Sequence, residues 1–377
     1  MTSEQPVPVP ITLVSGPLGA GKTTLVNRLL ADPGDRRIAV VVNDMGEINV
    51  DAELLADQSE EGIVDLSNGC ICCRLQDDLV TEITRLAEVR EFDYLVVEAS
   101  GISEPIPIAR TLTVGTDEAS LPERFTLDTT VSVVDAYGFW KAFDPEESLP
   151  DAAPDPERPL TEVLVDQIEF CDVLLLNKCD MVHDDELDAV EGAIRELQPR
   201  ATVHRTTYSD VDPTAVLETG RFDFEAAQRR QGWKETLAGT ENESPGHDSH
   251  GHDHGDGRSA ADAHGVESLV YRSEDPFHPV RFDAWLDDWD GDVVRAKGFV
   301  WVASRPDTVL GVSQAGPTVQ AGPIGEWGED DPATRFVVIG RSLDGVTAQL
   351  DDCLVRDGDS VPSADADPFP REANQSP

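Results

Sequence analysis

The chain has 377 residues, and this length predicts two folded units with some linker. Its 29 Lys and Arg residues against 74 Asp and Glu residues give a formal net charge of −45, which makes nucleic acid and anionic membranes poor partners. No apolar run reaches the roughly 20 residues that span a bilayer. The N-terminus lacks the basic region of a signal peptide, so we expect a cytoplasmic protein with reduced cysteines.

The acidic charge has two interpretations. High salt screens a dense carboxylate surface and makes it tolerable, or the surface binds cations weakly. Because the acids are dispersed along the chain without ligand spacing, the sequence favours adaptation to high salt.

From residue 11 to about 208, short β-rich runs alternate with helical patterns. Near-continuous apolar strands separated by helices predict a doubly wound, mostly parallel α/β sheet of the P-loop type. Helices are predicted at 22–31, 75–89 and 184–197. The predicted strands are 11–15, 38–43, 63–66, 94–99, 129–136, 173–177 and 202–208.

Beyond this sheet, the composition predicts a polar linker, a second domain and a tail. The linker is rich in glycine and histidine, and the later strands alternate apolar and polar residues, as in a small α+β domain. The predicted divisions are a flexible N-terminus at 1–10, a P-loop domain at 11–218, a His-rich linker at 219–268, a C-terminal domain at 269–356 and a disordered acidic tail at 357–377.

A glycine-rich phosphate-binding motif follows the first strand and opens the first helix. Its backbone N–H groups and the helix N-terminus form a nest for phosphate oxygens. Lys22 is predicted to reach the β- and γ-phosphates, and the Thr23 hydroxyl is predicted to bind Mg²⁺. The motif consists of Gly16, Pro17, Leu18, Gly19, Ala20, Gly21, Lys22 and Thr23, with Thr24 next.

Two further motifs follow strand ends. Asn177, Lys178 and Asp180 form an Asn-Lys-x-Asp loop, in which the aspartate accepts hydrogen bonds from N1–H and the exocyclic amine of guanine. Glu98 precedes Gly101, whose amide is predicted to meet the γ-phosphate. Glu98 has two interpretations: it orients the magnesium shell or a water, or it caps the next helix.

Cys70, Cys72 and Cys73 place three thiols within four residues before a predicted helix. Thiolates there bind Zn²⁺ or similar soft ions, and an incomplete ligand set holds the metal exchangeably. Glu47 or Asp51 is the predicted additional ligand. A buried apolar cysteine set and a redox switch are the alternatives.

The linker concentrates histidines that bind Zn²⁺, Ni²⁺ or Co²⁺ even without fixed structure, although a merely solvated linker is the alternative. These histidines are His247, His250, His252 and His254, with His264 further on. The isolated Cys171, Cys179 and Cys353 are interpreted as core or loop residues.

The motifs occur in an order that resembles the CobW-type metal-binding GTPases, relatives of the nickel-inserting GTPases. The resemblance also covers KGFVWVASRPD in the C-terminal domain. It implies that Gly19, Gly21, Lys22, Thr23 and Thr24 bind phosphate and magnesium, that Asn177, Lys178 and Asp180 bind guanine, and that Cys70, Cys72 and Cys73 bind cargo metal. The first switch loop of that family usually reads Asn-Glu-Phe-Gly-Glu; here Asp44 replaces the first Glu, so Glu47 is the stronger candidate.

The predicted protein is therefore a GTP-hydrolysing metallochaperone with Mg²⁺, carrying Zn²⁺ or Co²⁺ to a client metalloprotein. Lys22, Glu98 and Glu47 are the predicted catalytic residues, and hydrolysis is expected to be slow because no glutamine stands where a Ras-like switch positions water. A nucleotide-dependent homodimer is a further expectation. Alternatives are a cobalt-insertion accessory protein of cobalamin synthesis, a thiol redox sensor and a metal buffer.

Overall fold

The computed structural model describes most of the chain and divides it into two compact units. One unit contains a seven-stranded sheet and the other a five-stranded sheet. The described residues are 8–43, 63–65, 72–116, 119–121, 124–143, 160–224, 266–288, 293–328, 330–341 and 343–371, with backbone alone for 43, 63–65 and 72–78.

The first unit is built on a wholly parallel sheet, and the predicted doubly wound α/β fold is confirmed. The strand order is β3-β2-β4-β1-β5-β6-β7. The strands are β1 (Val9–Ser15), β2 (Ile38–Asn43), β3 (Ile63–Asp65), β4 (Tyr94–Ala99), β5 (Phe125–Asp135), β6 (Val173–Asn177) and β7 (Thr202–Arg205).

Within the described residues of this unit, five helices alternate with the strands, and the three helices predicted from periodicity are all present. They are α1 (Lys22–Ala31), α2 (Cys72–Val89), α3 (Pro105–Thr113), α4 (Leu160–Phe170) and α5 (Asp184–Leu197). Short 3₁₀ turns occur at Trp140–Phe143, Cys179–Met181 and Pro213–Ala215.

Both faces of the sheet are buried, which explains why its central strands are nearly continuous apolar runs. On β1, Ile11 and Leu13 pack into one core with residues of α2, α3 and α4, whereas Val14 packs into the opposite core with residues of α1. A parallel sheet buried on both faces leaves its carboxyl edge for the connecting loops, and ligands of such folds bind there.

The first unit extends further along the chain than the boundary predicted at residue 218. Phe222 and Phe224 pack against the core below β1, and the Phe170 and Phe222 ring centroids lie 6.0 Å apart. Asp128 fixes this segment, because its backbone carbonyl accepts from Phe222 N at 3.0 Å and its carboxylate accepts from Gly220 N at 3.1 Å. The first unit therefore continues at least to residue 224.

The second unit is an antiparallel sheet with two helices, in agreement with the predicted α+β class. Its strand order is β11-β10-β9-β12-β8. Its elements are β8 (Glu267–Ser273), α6 (Pro279–Asp287), β9 (Val293–Val300), β10 (Thr308–Ala315), β11 (Thr318–Glu326), β12 (Thr334–Gly340) and α7 (Val346–Cys353).

Aromatic rings dominate the core of the second unit. The Phe277 and Phe282 rings are stacked with centroids 4.4 Å apart, and Trp285 and Phe336 meet edge to face at 6.0 Å. Such large rings each bury a large apolar area, and aliphatic side chains of the same cluster pack around them. No helix in the described part of the chain is long and apolar enough to cross a membrane.

The disordered tail predicted at 357–377 is wrong for residues 357–371, which pack against the second unit. Arg305 donates to both carboxylate oxygens of Asp367, at 2.8 and 2.6 Å, and Ser304 donates to the same carboxylate at 2.6 Å. Phe369 is 5% exposed and joins the aromatic core. The prediction from composition fails here because the contacts of the buried Arg305 and Phe369 fix a segment whose polar, proline-rich composition is typical of disorder.

Replacement of Asp367 with alanine should destabilise the second unit strongly. The Arg305 and Asp367 side chains are 7% and 0% exposed, so the substitution leaves a buried guanidinium without its carboxylate. The loss of one partner from a buried pair costs about 3–5 kcal/mol of unfolding free energy. Urea unfolding followed by tryptophan fluorescence measures this loss.

Asp365→Ala is the matched control, because its partner Arg371 and Asp365 itself are 68% and 84% exposed in their side chains. An exposed pair of this kind contributes at most about 1 kcal/mol. Equal unfolding midpoints for the two variants would show that the tail does not anchor the unit.

Candidate functional site

The loop between β1 and α1 forms a cradle that requires glycine at two positions. Gly16 has φ +133°, and a Cβ there would lie 2.1 Å from the Val133 carbonyl oxygen. Gly21 has φ +114°, and a Cβ there would lie 2.4 Å from Asn177 Nδ2. Because backbone packs so closely around the loop, its N–H groups can converge on an anion without obstruction by side chains.

Lys22 and Thr23, the first two residues of α1, carry the chemistry of this loop. The Lys22 ammonium donates to the Pro17 carbonyl at 3.2 Å, so its positive charge lies beside the phosphate loop. The Thr23 hydroxyl donates to Glu98 Oε1 at 2.7 Å. Glu98 is 2% exposed, and the β1–β4 register pairs it with Val14, just before the phosphate loop.

The position of the next helix excludes one of the two interpretations of Glu98. The helix after β4 begins at Pro105 with Glu104 at its N-cap, so the interpretation of Glu98 as a helix cap is wrong. A hydroxyl and a carboxylate in contact beside a phosphate cradle are the oxygen donors that Mg²⁺ takes in proteins, together with substrate phosphates. Thr23 and Glu98 therefore fit a magnesium ion.

Gly101 brings the loop after β4 onto the phosphate loop. A Cβ at Gly101 would lie 2.5 Å from the backbone nitrogen of Leu18, so the two backbones are in direct contact. Gln167 of α4 donates to the Ser103 carbonyl at 3.1 Å and holds the same loop from the other side. A movement of the phosphate loop would therefore displace the loop after β4 directly.

Asn177, which is 2% exposed, joins the predicted guanine loop to the phosphate loop. Its Nδ2 donates to the Ala20 carbonyl at 2.8 Å, and its Oδ1 accepts from Ser209 N at 2.8 Å and from the Thr206 hydroxyl at 3.1 Å. Three loops at the carboxyl edge of the sheet are therefore fixed by one buried amide.

The rest of the Asn-Lys-x-Asp loop points outward from this anchor. Lys178 has φ +61°, and its ammonium pairs with Asp135 Oδ2 at 2.6 Å. Asp180 is exposed at the edge of the sheet, where its carboxylate is available to a ligand. Cys179 is partly buried, and its thiol donates to the Leu176 carbonyl at 3.1 Å.

Sequence reasoning missed three residues of this cluster: Asp135, Thr206 and Ser209. A signal was available, because Asp135 ends β5 and the other two follow β7, and all parallel strands end at the same edge. The pairing of Asp135 with Lys178, however, depends on the registration of β5 with β6, which the sequence does not display.

The predicted cargo-metal site lies largely outside the described part of the chain. Cys72 and Cys73 are the first two residues of α2, where only the backbone is described. Among the described side chains, no group of three His, Cys, Asp or Glu residues is placed to hold a metal. Outside the described residues lie Asp44, Glu47, Asp51, Cys70, His247, His250, His252, His254 and His264.

Two isolated cysteines are buried structural residues, as predicted. Cys171 is 4% exposed, and burial raises the pKa of its thiol far above the usual range. Cys353 is 5% exposed, and burial, the largest cause, raises its pKa to about 11. Both thiols therefore stay protonated at neutral pH and are poor nucleophiles and metal ligands.

The phosphate cradle, the Thr23–Glu98 contact and the parallel sheet define a nucleotide-binding protein of the P-loop class. A family model described as the CobW/HypB/UreG nucleotide-binding domain matches residues 10–205. A second, described as the cobalamin synthesis protein cobW C-terminal domain, matches residues 266–354. The chain belongs to the CobW/HypB/UreG family, a family of P-loop GTPases.

Three curated relatives illustrate the similarity. Zinc-regulated GTPase metalloprotein activator 1 of Dictyostelium discoideum is 38% identical over 80% of this chain, which spans 64% of that protein's length. Zinc chaperone CobW of Sinorhizobium sp is 28% identical over 88% of this chain and 92% of its own length. Zinc chaperone YjiA of Escherichia coli (strain K12) is 31% identical over 58% of this chain and 64% of its own length.

Cys171 and Cys353 should resist alkylation in the native protein. Their raised pKa values keep the thiolate fraction small at pH 8, and burial excludes the reagent. N-ethylmaleimide labelling, followed by peptide mass spectrometry, should find both cysteines unmodified before denaturation and modified after it. Labelling of either one in the folded protein at the rate of a free thiol would contradict this assignment.

Proposed function

We propose that the protein is a GTP-hydrolysing metallochaperone that carries Zn²⁺ and delivers it to a client metalloprotein. The observation that carries the nucleotide part is the pair of bonds from Asn177 to Ala20 of the phosphate loop and to Ser209. That contact holds the Asn-Lys-x-Asp loop at a fixed distance from the phosphate cradle, so a nucleotide can be bound by its phosphates and its base together.

Each end of the GTP site has its own chemistry. The backbone from Gly16 to Gly21 and the Lys22 ammonium bind the phosphates, and the Thr24 backbone lies in the first turn of the same helix. The exposed carboxylate of Asp180 accepts from the N1–H and 2-amino groups of guanine. Adenine offers neither donor there, so the aspartate would lose its hydrogen bonds to ATP.

Thr23 and Glu98 would hold Mg²⁺, which supplies charge neutralisation at the β- and γ-phosphates. The chain's own catalytic contribution is positional. Lys22 stabilises negative charge on the transferring phosphoryl group, the amide of Gly101 is placed against the phosphate loop, and Glu98 or Glu47 orients water. Hydrolysis is proposed to be slow, as in a switch, because no glutamine of the sequence stands where a Ras-like switch positions that water.

Sheet order supports coupling between nucleotide and cargo. Strands β2 and β3 lie on the same side of β1 as β4, and the chain leaves both of them at the carboxyl edge, at Asn43 and Asp65. The loop that carries Glu47 starts at the first of these ends, and the segment that carries Cys70, Cys72 and Cys73 follows the second. GTP-dependent ordering of the 43–51 loop would thus change the ligand set around the cysteines.

Zinc is the proposed cargo because thiolates favour it and because three relatives are named for zinc. Co²⁺ is the alternative, in which the protein serves cobalt insertion in cobalamin synthesis. The proposed client binds the second unit, the proposed compartment is the cytoplasm, and the histidines at 247–254 increase the local metal concentration. A redox sensor or metal buffer would use the same cysteines without GTP coupling.

Zn²⁺ should change the rate of GTP hydrolysis, and the change should require the cysteine cluster. Binding linkage is reciprocal, so a metal that prefers the GTP state must also alter GTP affinity or turnover. Phosphate release is measured at high salt with Mg²⁺ while Zn²⁺ and Co²⁺ are titrated separately. The variant with Cys70, Cys72 and Cys73 all replaced by serine should lose the metal response.

Cys353→Ser is the matched control, since a serine hydroxyl can donate to the Gln349 carbonyl that the thiol contacts at 3.3 Å. A control that keeps the metal response, beside a triple variant that loses it, supports the coupled site. A GTP hydrolysis rate that depends neither on the two metals nor on the cysteines would contradict the proposed chaperone and favour a redox sensor or a metal buffer.

Glu98→Gln should weaken Mg²⁺-dependent GTP binding. The amide can still accept from Thr23, but it brings no charge to a divalent cation, and loss of a charged hydrogen-bonding group costs about 1.5–3 kcal/mol, roughly 10- to 100-fold in affinity. Calorimetric titration of GTP with and without Mg²⁺ measures this effect. Glu91→Gln, at a residue whose side chain is 90% exposed, should behave as wild type.

A further inference from the structure

The loop after β7 contains two consecutive non-glycine residues in the left-handed region. Tyr208 has φ +54° and Ser209 has φ +53°. Residues with a Cβ seldom adopt this conformation, and two in succession persist only when surrounding contacts impose it. Such backbone strain is concentrated at ligand-binding sites in folded proteins.

The contacts that impose this conformation come from the nucleotide site itself. Ser209 is fully buried; its N–H donates to Asn177 Oδ1 at 2.8 Å and its hydroxyl donates to the Gly21 carbonyl at 3.0 Å. At the start of the loop, the Thr206 carbonyl accepts from Cys179 N at 3.1 Å. The loop is therefore fixed to the end of the phosphate cradle and to the Asn-Lys-x-Asp segment.

The first helix fixes the remaining side of the loop. Arg28 Nε donates to the Tyr208 carbonyl at 2.7 Å, and Arg28 Nη1 pairs with Asp210 at 2.8 Å. The backbone of Tyr208 is thus held on both sides, yet the residue is 69% exposed. The loop that is fixed to the phosphate cradle and to the Asn-Lys-x-Asp segment therefore carries a large, exposed aromatic ring with no packing role in the core.

We infer that Tyr208 forms one wall of the base pocket and stacks on the face of the guanine ring. This inference rests on the proposed GTP site. A phenol ring on a fixed backbone loses little conformational entropy when a planar base stacks on it. Because every base has a π-face, stacking of this kind accepts any purine. Asp180 binds the edge of the base and sets the selectivity for guanine, whereas Tyr208 adds affinity without selecting among purines.

The division of roles gives a distinctive pattern of nucleotide affinities. Tyr208→Ala should weaken GTP and ITP by the same factor, about 10-fold, and leave inorganic tripolyphosphate binding unchanged. Asp180→Asn should weaken GTP more than ITP, because inosine lacks the 2-amino group that the carboxylate accepts from. Tyr208→Phe, which restores the ring, should restore the affinity.

A glycine variant separates the ring from the backbone. Tyr208→Gly also removes the ring, but glycine adopts a positive φ readily, so the loop keeps its shape. If stacking is the role of Tyr208, the glycine and alanine variants lose the same affinity for GTP. If the residue matters only for the course of the backbone, the glycine variant binds as wild type, and the inference is overturned.

Calorimetric titration of the full chain with Mg²⁺ and each ligand decides the matter, with circular dichroism to confirm that the variants fold. Wild-type GTP affinity that does not exceed ATP affinity would overturn the proposed guanine site, and a Tyr208→Ala variant that binds every purine nucleotide as tightly as the wild type would overturn the stacking wall. Selective GTP binding in the wild type, with unchanged affinity in Tyr208→Ala, would overturn the wall alone and leave the proposed function standing.

Discussion

The buried amide of Asn177 is the interaction on which the nucleotide site depends. Its donor and acceptor atoms are both used, one by the phosphate loop and the other by the loop after β7, at the end of a strand buried on both faces. Leaving either partner without its hydrogen bond in such a place is costly, so the three loops behave as a single rigid body. In the proposed GTP site, that rigidity would make recognition of phosphate and base one event.

Much of this architecture could be predicted from the sequence because the relevant signals are local. Three kinds of signal each lie within about 15 residues: the apolar strands, the glycine loop before α1, and the amphipathic period of α2 and α5. Each of them predicts one element without information from the rest of the chain. The parallel order then brings the ends of these elements to one edge. That rule places Glu98 beside Thr23 although 75 positions separate them.

What the sequence did not reveal depends on pairing between distant segments. The Asp135–Lys178 ion pair depends on strand register, and the left-handed pair of Tyr208 and Ser209 is held by Arg28 of α1 and Asn177 of β6. The tail reads as disordered because its apolar content is low, but one bidentate arginine and one phenylalanine are enough to fix it. Individual long-range contacts of this kind leave no periodic trace.

The tail anchor also constrains the order in which the second unit can form. Its last strand ends at Gly340, but Asp367, which neutralises the buried Arg305, lies 27 positions further on. During synthesis the chain therefore carries every strand of this sheet before it carries the carboxylate that satisfies the guanidinium. Without residues 357–371, Arg305 lacks its carboxylate partner and the aromatic core lacks the Phe369 ring, so the strands alone form a less stable sheet.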